Sequence, residues 1–375
     1  MVAIGNGIGV SFLKGGGGGA PAPNPDFISV WDTTQSGSAS DTIILPLLSG
    51  GVYSGTIDWG DGNSDSLSYA NRTHIYAASG TYTVTISGTM EDGIGFPLFG
   101  GDMAKITEIS NWGNADIGIR KAFENCTNLD ITATDAPDIS TTNMSRCFDN
   151  CINLVDINLS QWDVSGVIDF SSFFNDCGEL QTANIENWNV GNAGNMGAMF
   201  ANADEFNEDI GGWDVSNVTS MRTMFNCQFT IGIFNQDISN WNTSNVQDMS
   251  FMFQGQTNFN QSIGNWDISS VTTIRRMFQS VSSFDQNLEN WDITNVTDAR
   301  EFLFQSTGLS TANYDATLVG WEATLQAAYP SGVGYPHTIN IHFGGSQYTL
   351  GGAAEAARTS LISTFGWTIT DGGGV

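Results

Sequence analysis

The sequence has 375 residues, which is enough for two or three domains and a sizeable hydrophobic core. Its 11 Lys and Arg residues against 39 Asp and Glu residues give a net charge of −28. This charge argues against nucleic acid and anionic membranes as partners, because both are bound through clustered Lys and Arg, and no apolar run is long enough for membrane insertion.

The first predicted element is a flexible attachment arm over residues 1–26. Five consecutive glycines, Gly15 to Gly19, precede a proline-containing spacer, and this composition is typical of flexible linkers. The stretch is a poor match to a secretory signal peptide, because it lacks a basic start and glycines interrupt its apolar residues. We expect this arm to bind other virion or surface proteins in an oligomeric assembly.

Residues 27–101 predict a small antiparallel β-sandwich. Apolar and polar residues alternate here, as at Tyr82, Val84 and Ile86, which is the pattern of a half-buried strand. The sequence WGDG, from Trp59 to Gly62, predicts a tight turn between strands. Several short strands separated by such turns favour a sandwich.

A repeat of about 25 residues extends over residues 102–307. Spacings of 26, 25, 28, 25 and 25 residues separate six tryptophans, which are Trp162, Trp188, Trp213, Trp241, Trp266 and Trp291. Trp112 and Pro137 occupy the same position in two earlier units. Because one unit cannot bury its own aromatic side chains but stacked units can, the repeat predicts a solenoid of about eight coils.

Within one unit, Val218 to Met221 predicts a short strand, and the following MRTMF predicts a turn of helix. An Asp or Asn follows the tryptophan position at Asp138, Asp163, Asn189, Asp214, Asn242, Asp267 and Asp292. Such side chains close turns by accepting hydrogen bonds from nearby backbone amides. A column of carboxylates that shares Ca²⁺ is the alternative. A second polar ladder is formed by Asn217, Asn245 and Asn295.

Residues 308–375 predict an α/β C-terminal capping segment. Leu318, Trp321 and Leu325 have helical spacing, TINIHF reads as a strand, and residues 353–367 read as a second helix. A solenoid needs an atypical terminal unit to cover its last apolar face, and this segment is suited to that role.

Several long motifs resemble known families. FNQDISNWNTSNVQDMSFMF and FNQSIGNWDISSVTTIRRMF are similar to the BspA-like leucine-rich repeats of bacterial surface proteins and mycoplasma lipoproteins. DWGDG and HIYAASGTYTVTISG resemble a PKD-type immunoglobulin-like domain. The resemblance implies a mainly β fold with short helices: an immunoglobulin-like β-sandwich, a leucine-rich-repeat-type solenoid of about eight 25-residue coils and an α/β cap. It also implies surface display and adhesion to host proteins or glycans without catalysis.

Members of such families usually carry an export signal or a lipid anchor, whereas this chain starts with MVAIGNGIGVSF. We therefore expect a non-catalytic structural or adhesion protein on a virion surface, as a phage tail or head component. A bacterial cell-surface adhesin is the alternative. A glycan-processing enzyme with paired carboxylates on the solenoid is the second alternative.

Arginines suggest a binding surface on the repeats. Five arginines occupy equivalent or adjacent positions in their repeats and therefore predict a lateral strip of positive charge. They are Arg120, Arg222, Arg275, Arg276 and Arg300, and Arg146 lies close by. The strip either pairs internally with neighbouring carboxylates and carbonyls or binds an anionic glycan or an acidic partner.

Three further features have structural and functional interpretations. Asp58, Asp61 and Asp65 either stabilise a turn or form a weak Ca²⁺ site, and no other cofactor is expected. Four of the five cysteines share one repeat position, which favours buried small apolar residues over disulfides between neighbouring coils. The longer spacing between Trp213 and Trp241 places an insertion near CQFTIGIFNQ, which is either a tolerated loop or a recognition loop.

Overall fold

The computed structural model describes residues 24–91, 93–96 and 101–375. The expected attachment arm at residues 1–26 therefore lies almost entirely outside the described residues. Within the described ranges the chain forms ten β-strands and two α-helices, so the predicted mainly β class with short helices is confirmed. Neither of these two helices is long and apolar enough to span a bilayer.

The N-terminal region contains two sheets. Their strands are β1 (Phe27–Asp32), β2 (Thr42–Ile44), β3 (Val52–Asp58), β4 (Ser64–Ser66), β5 (Thr73–Ile75), β6 (Thr81–Glu91), β7 (Ile106–Asn111) and β8 (Asp130–Ile131). The larger sheet has the order β4-β3-β6-β1-β7-β8, and β2 pairs with β5 in a separate antiparallel sheet. In the larger sheet only the β7–β8 pair is parallel.

Alternating burial along the central strands defines the core face of the larger sheet. Along β1, Phe27, Ser29 and Trp31 are fully buried and the residues between them are not. Their partners Val84 and Ile86 on β6 are buried on the same face. The Trp31 indole N–H donates to the hydroxyl of Ser29 at 2.8 Å, so these two buried polar groups satisfy each other.

The larger sheet continues past residue 101, where the sequence places the end of the sandwich. Strand β7 pairs antiparallel with β1, with Ile109 opposite Ser29. Strand β8 then pairs parallel with β7 through Ile131 and Ile109. The N-terminal sheet and the first repeats therefore share one hydrophobic core.

A buried ion pair fixes the loop before β2 to the segment that leads into the repeats. Lys105 Nζ lies 3.6 Å from Asp102 Oδ1, and both side chains are fully buried. The ammonium donates to the carbonyls of Ser38, Ala39 and Thr42 at 3.1, 2.8 and 2.8 Å. The carboxylate accepts from the Ser38 amide at 2.7 Å. Each buried charge thus has the polar partners that burial demands.

Indole hydrogen bonds join five successive repeats, those of Trp188 to Trp291, each to the repeat before it. The indole N–H of Trp241 donates to the carbonyl of Ile210, three residues before Trp213, at 3.1 Å. The same bond recurs at 2.9 to 3.1 Å for Trp188 to Leu159, Trp213 to Ile185, Trp266 to Ile238 and Trp291 to Ile263. The recurring tryptophan therefore contributes both buried area and an inter-repeat hydrogen bond.

Two rows of phenylalanine rings fill the interior of the stacked repeats. The first row has centroid separations of 5.7 to 6.0 Å and contains Phe148, Phe174, Phe200, Phe225, Phe253 and Phe278. The second row has separations of 6.2 to 6.4 Å and contains Phe206, Phe234, Phe259 and Phe284. These spacings are those of rings stacked in register from successive repeats.

The short strand predicted in each repeat is reduced to a single parallel β-bridge. The bridges run in register from repeat to repeat through Asn143, Asp169, Asn195, Ser220, Asp248, Thr273 and Asp298. We refer to these residues as the bridge row. Because each member pairs with the next, the repeats from Asn143 to Asp298 form one continuous stack.

The turn of helix predicted after the strand is wrong. Thr223 has a φ of 56°, in the left-handed region that an α-helix excludes. The amides of Met221, Thr223 and Phe225 donate to the carbonyls of Asp248, Ser250 and Met252 in the next repeat at 2.9 to 3.0 Å. Alternating backbone conformations direct every second amide along the stack, so inter-repeat bonds replace helical ones.

The C-terminal segment continues the indole ladder from a helix. Its elements are α1 (Thr311–Ala328), β9 (Asn340–His342), α2 (Ala353–Ser363) and β10 (Thr368–Thr370), and β9 pairs parallel with β10. Trp321 on α1 donates its indole N–H to the carbonyl of Leu288 at 2.8 Å, as a further repeat would. The Leu303 amide donates to the His342 carbonyl at 2.8 Å. The segment thereby covers the end of the last repeat.

All five cysteines are buried free thiols. The Cys151 thiol donates to the carbonyl of Phe123 at 3.1 Å, and the Cys177 thiol donates to that of Phe148 at 3.0 Å. Burial raises the pKa of the Cys126 and Cys151 thiols well above the ordinary value of 9.0. Because the thiolate is the reactive form, these side chains act as small core residues.

Candidate binding surface

Arg222, Arg275 and Arg300 occupy equivalent positions in three repeats, and we call them the arginine row. The backbone carbonyl of each accepts a hydrogen bond from a backbone amide in the preceding repeat, at 2.8, 2.8 and 3.0 Å. Stacked parallel strands are about 4.8 Å apart, so Arg222 and Arg275, which are two repeats apart, are separated by about 10 Å along the stack. Arg120 lies near the start of the repeats and is exposed.

Three guanidinium groups surround the half-buried ring of Phe251. The Cζ atoms of Arg222, Arg275 and Arg276 lie 5.2, 5.4 and 5.6 Å from its ring centroid. Contacts of this kind contribute about 0.5–1 kcal/mol each at exposed sites. The ring thus gathers side chains from neighbouring repeats into one cluster of positive charge on an acidic protein.

Two members of the predicted strip are paired within the chain. Arg276 forms an ion pair with Glu301, and the hydrogen bond from Arg276 lowers the pKa of Glu301. Arg300 donates from Nε and Nη2 to the two oxygens of Asp298 at 2.9 and 2.7 Å. These bonds hold the pKa of Asp298 below its ordinary value. Internal pairing is therefore the arrangement at these two positions.

Arg222 and Arg275 differ from them, because neither forms an ion pair with any residue that the structure describes. Arg222 is exposed, and its Nη1 donates to the Ser250 hydroxyl at 3.3 Å. The Nε atom of Arg275 is buried without a hydrogen-bond acceptor in the described part of the chain. Since a guanidinium is matched to a planar carboxylate or a sulfate, this pair can take an anionic group from a partner.

The acidic residues that follow the tryptophans form a second row, and we call Asp163, Asp214, Asp267 and Asp292 the carboxylate row. Each accepts the amide two residues further on, at 2.9 to 3.1 Å. In the repeats that begin at Trp188 and Trp241, asparagine replaces the aspartate. Asn189 and Asn242 accept the equivalent amide hydrogen bond there, at 3.3 and 3.2 Å. Turn closure is thus the observed role, and the described residues contain no group of three or more acidic, Cys or His side chains arranged to hold a metal ion.

Acidification is expected to destabilise these turns. Hydrogen bonds from Ser165, Ser216 and Ser269 hold the pKa values of Asp163, Asp214 and Asp267 below the ordinary 3.8. A carboxylate whose pKa is lower in the folded state stabilises the fold above the unfolded pKa, and this contribution is lost as the pH falls through the folded value. Thermal unfolding followed from about pH 5 to about pH 3 should show a falling melting temperature.

The matched control replaces these three aspartates by asparagine, which already closes the turn in two repeats. The triple variant should lose part of the acid sensitivity while keeping its stability near neutral pH. An acid dependence identical to that of the natural chain would contradict this role for the carboxylates.

The weak Ca²⁺ candidate comprises the last residue of β3, Asp58, the turn residue Asp61 and the central residue of β4, Asp65. Asp61 contacts His74 Nε2 at 3.0 Å, and this hydrogen bond lowers the pKa of Asp61 to about 2. Asp65 accepts the indole N–H of Trp59 at 2.9 Å, and Asp58 accepts an amide of its own turn at 2.9 Å. The three carboxylates therefore stabilise the turn through separate hydrogen bonds.

The predicted insertion carries an exposed apolar tip. Phe229 is 85% exposed and Ile231 is 67% exposed. The chain re-enters the stack at Gly232, which bridges to Gln256 in the next repeat. The spacing between tryptophans predicted the insertion, but it carried no information on how far the two apolar side chains project.

A cleft of about 210 Å³ lies between the N-terminal sheet and the first repeats. Its lining includes the carboxylates of Glu91, Asp116 and Asp138. Asp116 and Asp138 are partners in a parallel bridge, so their backbones are adjacent. These three carboxylates share no sequence motif, because they come from β6 and from two different repeats.

The comparisons with known proteins give one match. No curated protein and no solved structure matches the chain. The family model for a Mycoplasma protein of unknown function, DUF285, matches residues 117–231 and again residues 229–317. The two matches meet at the exposed tip of the insertion, and together they cover residues 117–317, which is most of the repeat region and more than half of the chain. The chain therefore belongs to the DUF285 family.

Proposed function

We propose that this chain is a non-catalytic structural or adhesion protein that presents its stacked repeats to a protein or glycan partner. The observation that supports the proposal is the arginine pair, Arg222 and Arg275, neither of which forms a direct ion pair with a described residue. The charge of Arg275 does lower the pKa values of Asp298 and Glu301, so Arg222 is the less compensated of the two. Unpaired guanidinium groups on a protein of net charge −28 are suited to an anionic ligand.

The finer fold assignment belongs to the same proposal. We propose that the repeats are a BspA-like, leucine-rich-repeat-type solenoid of about eight coils and that the N-terminal sheets form a PKD-type immunoglobulin-like domain. The DUF285 match over the repeats, the indole ladder and the bridge row support the first assignment. The two-sheet arrangement and the turn at Trp59 to Gly62 support the second.

We propose a virion surface as the location, with residues 1–26 as the attachment segment of a tail or head component. A bacterial cell surface is the alternative location. Mass spectrometry of purified virions and of cell-envelope fractions would separate the two. Recovery of the chain from envelopes of cells that produce no particles would rule out the virion location.

Replacing Arg222 and Arg275 together by alanine is expected to abolish binding to an anionic partner while leaving the melting temperature nearly unchanged. Arg222 is exposed, and exposed polar contacts contribute little to folding. Arg275 is half-buried, but its Nε atom has no acceptor in the described residues, so the change also removes an unsatisfied buried donor. A glycan array and intact host cells provide the readout. Arg72→Ala is the matched control, because it removes an arginine that stacks on Tyr69 in the N-terminal region. Unchanged binding by the double variant would contradict the proposal.

A further inference from the structure

The arginine row and the carboxylate row occupy the same repeats. The repeats that begin at Trp213, Trp266 and Trp291 each carry an aspartate at the next position and an arginine nine positions after the tryptophan. The repeats that begin at Trp188 and Trp241 carry asparagine at the first position and glycine or serine at the second. The repeat that begins at Trp162 carries Asp163 at the first position and Ser171 at the second. In these six repeats an arginine at the second position is therefore always accompanied by an aspartate at the first, and both are missing from the Trp188 and Trp241 repeats.

The two rows do not neutralise each other within the chain. Asp214 precedes the bridge-row residue Ser220 and Arg222 follows it, so the rows flank the bridge row on either side along the chain. Asp214 and Arg222 are both exposed, and no ion pair joins them. No ion pair joins Asp267 and Arg275 either. Asp267 is exposed, and Arg275 is half-buried. Each row therefore contains charged side chains that form no direct ion pair with the other row.

The rows also share one spacing. Arg222 and Arg275 are two repeats apart, and so are Asp214 and Asp267, which corresponds to about 10 Å in both cases. Because the backbone stack sets both separations, two charged pairs would form at once if the arginine row of one molecule met the carboxylate row of another. Simultaneous contacts at a fixed spacing give the selectivity that a single exposed pair lacks.

We propose that the partner of the arginine row is the carboxylate row of a second copy of this chain. This inference rests on the proposed binding role of Arg222 and Arg275 and names the partner. If the two stacks run in the same direction, Arg222 pairs with Asp214 and Arg275 with Asp267. If they run in opposite directions, the pairs are Arg222 with Asp267 and Arg275 with Asp214. Both arrangements use the same four side chains.

Net charge opposes association between copies, since each carries −28. At physiological ionic strength the Debye length is about 8 Å, so charges away from the contact are largely screened while groups in direct contact still attract. If two copies touch only at these two rows, most of the repulsion between their net negative charges is therefore screened by salt. An acidic glycan also offers carboxylates, but only a second copy of the chain necessarily carries them at the same two-repeat spacing as the arginines.

The test is a charge exchange on the full chain, followed by sedimentation velocity over a wide concentration range at low and moderate salt. The natural chain should associate. Arg222→Glu with Arg275→Glu should weaken that association at least about tenfold, and so should Asp214→Arg with Asp267→Arg. An equimolar mixture of these two double variants should associate again, because the reversed rows are complementary.

Two further variants guard against misfolding and against a general charge effect. Asp214→Asn with Asp267→Asn keeps the turn-closing oxygens and should still weaken association. Asp163→Arg is the matched control, since its position faces no member of the arginine row in either orientation, and it should associate at least as well as the natural chain.

A natural chain that stays monomeric at every concentration and salt level would overturn the inference, as would association that the arginine reversals leave intact. The proposed function can be tested separately from this inference. If the natural chain is monomeric while Arg222→Ala with Arg275→Ala loses glycan or cell binding, the proposed function stands and only the identity of the partner is wrong.

Discussion

Replacing Trp241 by alanine is expected to lower the free energy of unfolding by about 3–5 kcal/mol. The indole is 3% exposed, donates to the carbonyl of Ile210 at 3.1 Å and lies 6.3 Å from the stacked ring of Trp266. The substitution leaves a cavity between two repeats and removes the bond between them. Chemical denaturation monitored by circular dichroism would measure the loss. A change below about 1 kcal/mol would contradict the role of the indole ladder.

A pair of phenylalanine variants isolates the hydrogen bond from the ring. Trp241→Phe loses ring area and an inter-repeat bond. Trp162→Phe loses similar area, but the Nε1 atom of Trp162 is buried without a partner in the described residues, so the change also removes an unsatisfied donor. A hydrogen bond contributes about 0.5–1.5 kcal/mol and an unsatisfied buried group costs about 1–3 kcal/mol. Trp241→Phe should therefore be the more damaging variant by about 2 kcal/mol.

Lys105→Met is expected to cost about 3–5 kcal/mol, the usual penalty for leaving one partner of a buried ion pair uncompensated. Asp102 is fully buried and lies 3.6 Å from the ammonium. Without that charge, the carboxylate keeps only its polar contacts, such as the Ser38 amide at 2.7 Å. The same denaturation experiment gives the free energy of unfolding for this variant.

Two controls accompany that experiment. The double variant Lys105→Met with Asp102→Asn removes both charges and should recover part of the loss, because no uncompensated charge stays buried. Arg300→Met breaks the ion pair with Asp298, in which the arginine side chain is 57% exposed, and should destabilise the fold far less than Lys105→Met does. Equal losses for Lys105→Met and Arg300→Met would show that burial does not set the strength of these pairs.

The repeat was predictable because the same residue pattern recurs many times in the sequence. Each occurrence of tryptophan, of the following acid or amide and of the later phenylalanine adds to the periodicity, and the short polar side chains at Asp163 and Asn189 have few local options besides closing a turn. The mainly β class follows from the same short alternating segments.

The local backbone after the bridge row was not predictable from one repeat. MRTMF has the composition of a helical turn, yet Thr223 adopts a φ of 56° because its amide donates to Ser250 in the next repeat. A β-branched residue carries no sequence signal for a left-handed conformation. Tertiary contacts between repeats override local propensity here.

The candidate site was only partly predictable for a related reason. Equivalent repeat positions identified the arginines, but their ion-pair partners depend on which side chains stand in the adjacent repeat. Arg276 forms an ion pair with Glu301, whereas Arg275 forms no direct ion pair among the described residues, although its charge also lowers the pKa values of Glu301 and Asp298. The buried contact between Lys105 and Asp102 was missed because a lysine near an aspartate is most often exposed.

A crystal structure of the full chain tests the central claim most directly, which is that the tryptophan repeats stack in register into one continuous body. The account predicts that each indole N–H from Trp188 to Trp291 lies within hydrogen-bond distance of a carbonyl in the preceding repeat, with phenylalanine rings about 6 Å apart along the stack. Indoles that pack into separate cores, without contact between successive repeats, would contradict it.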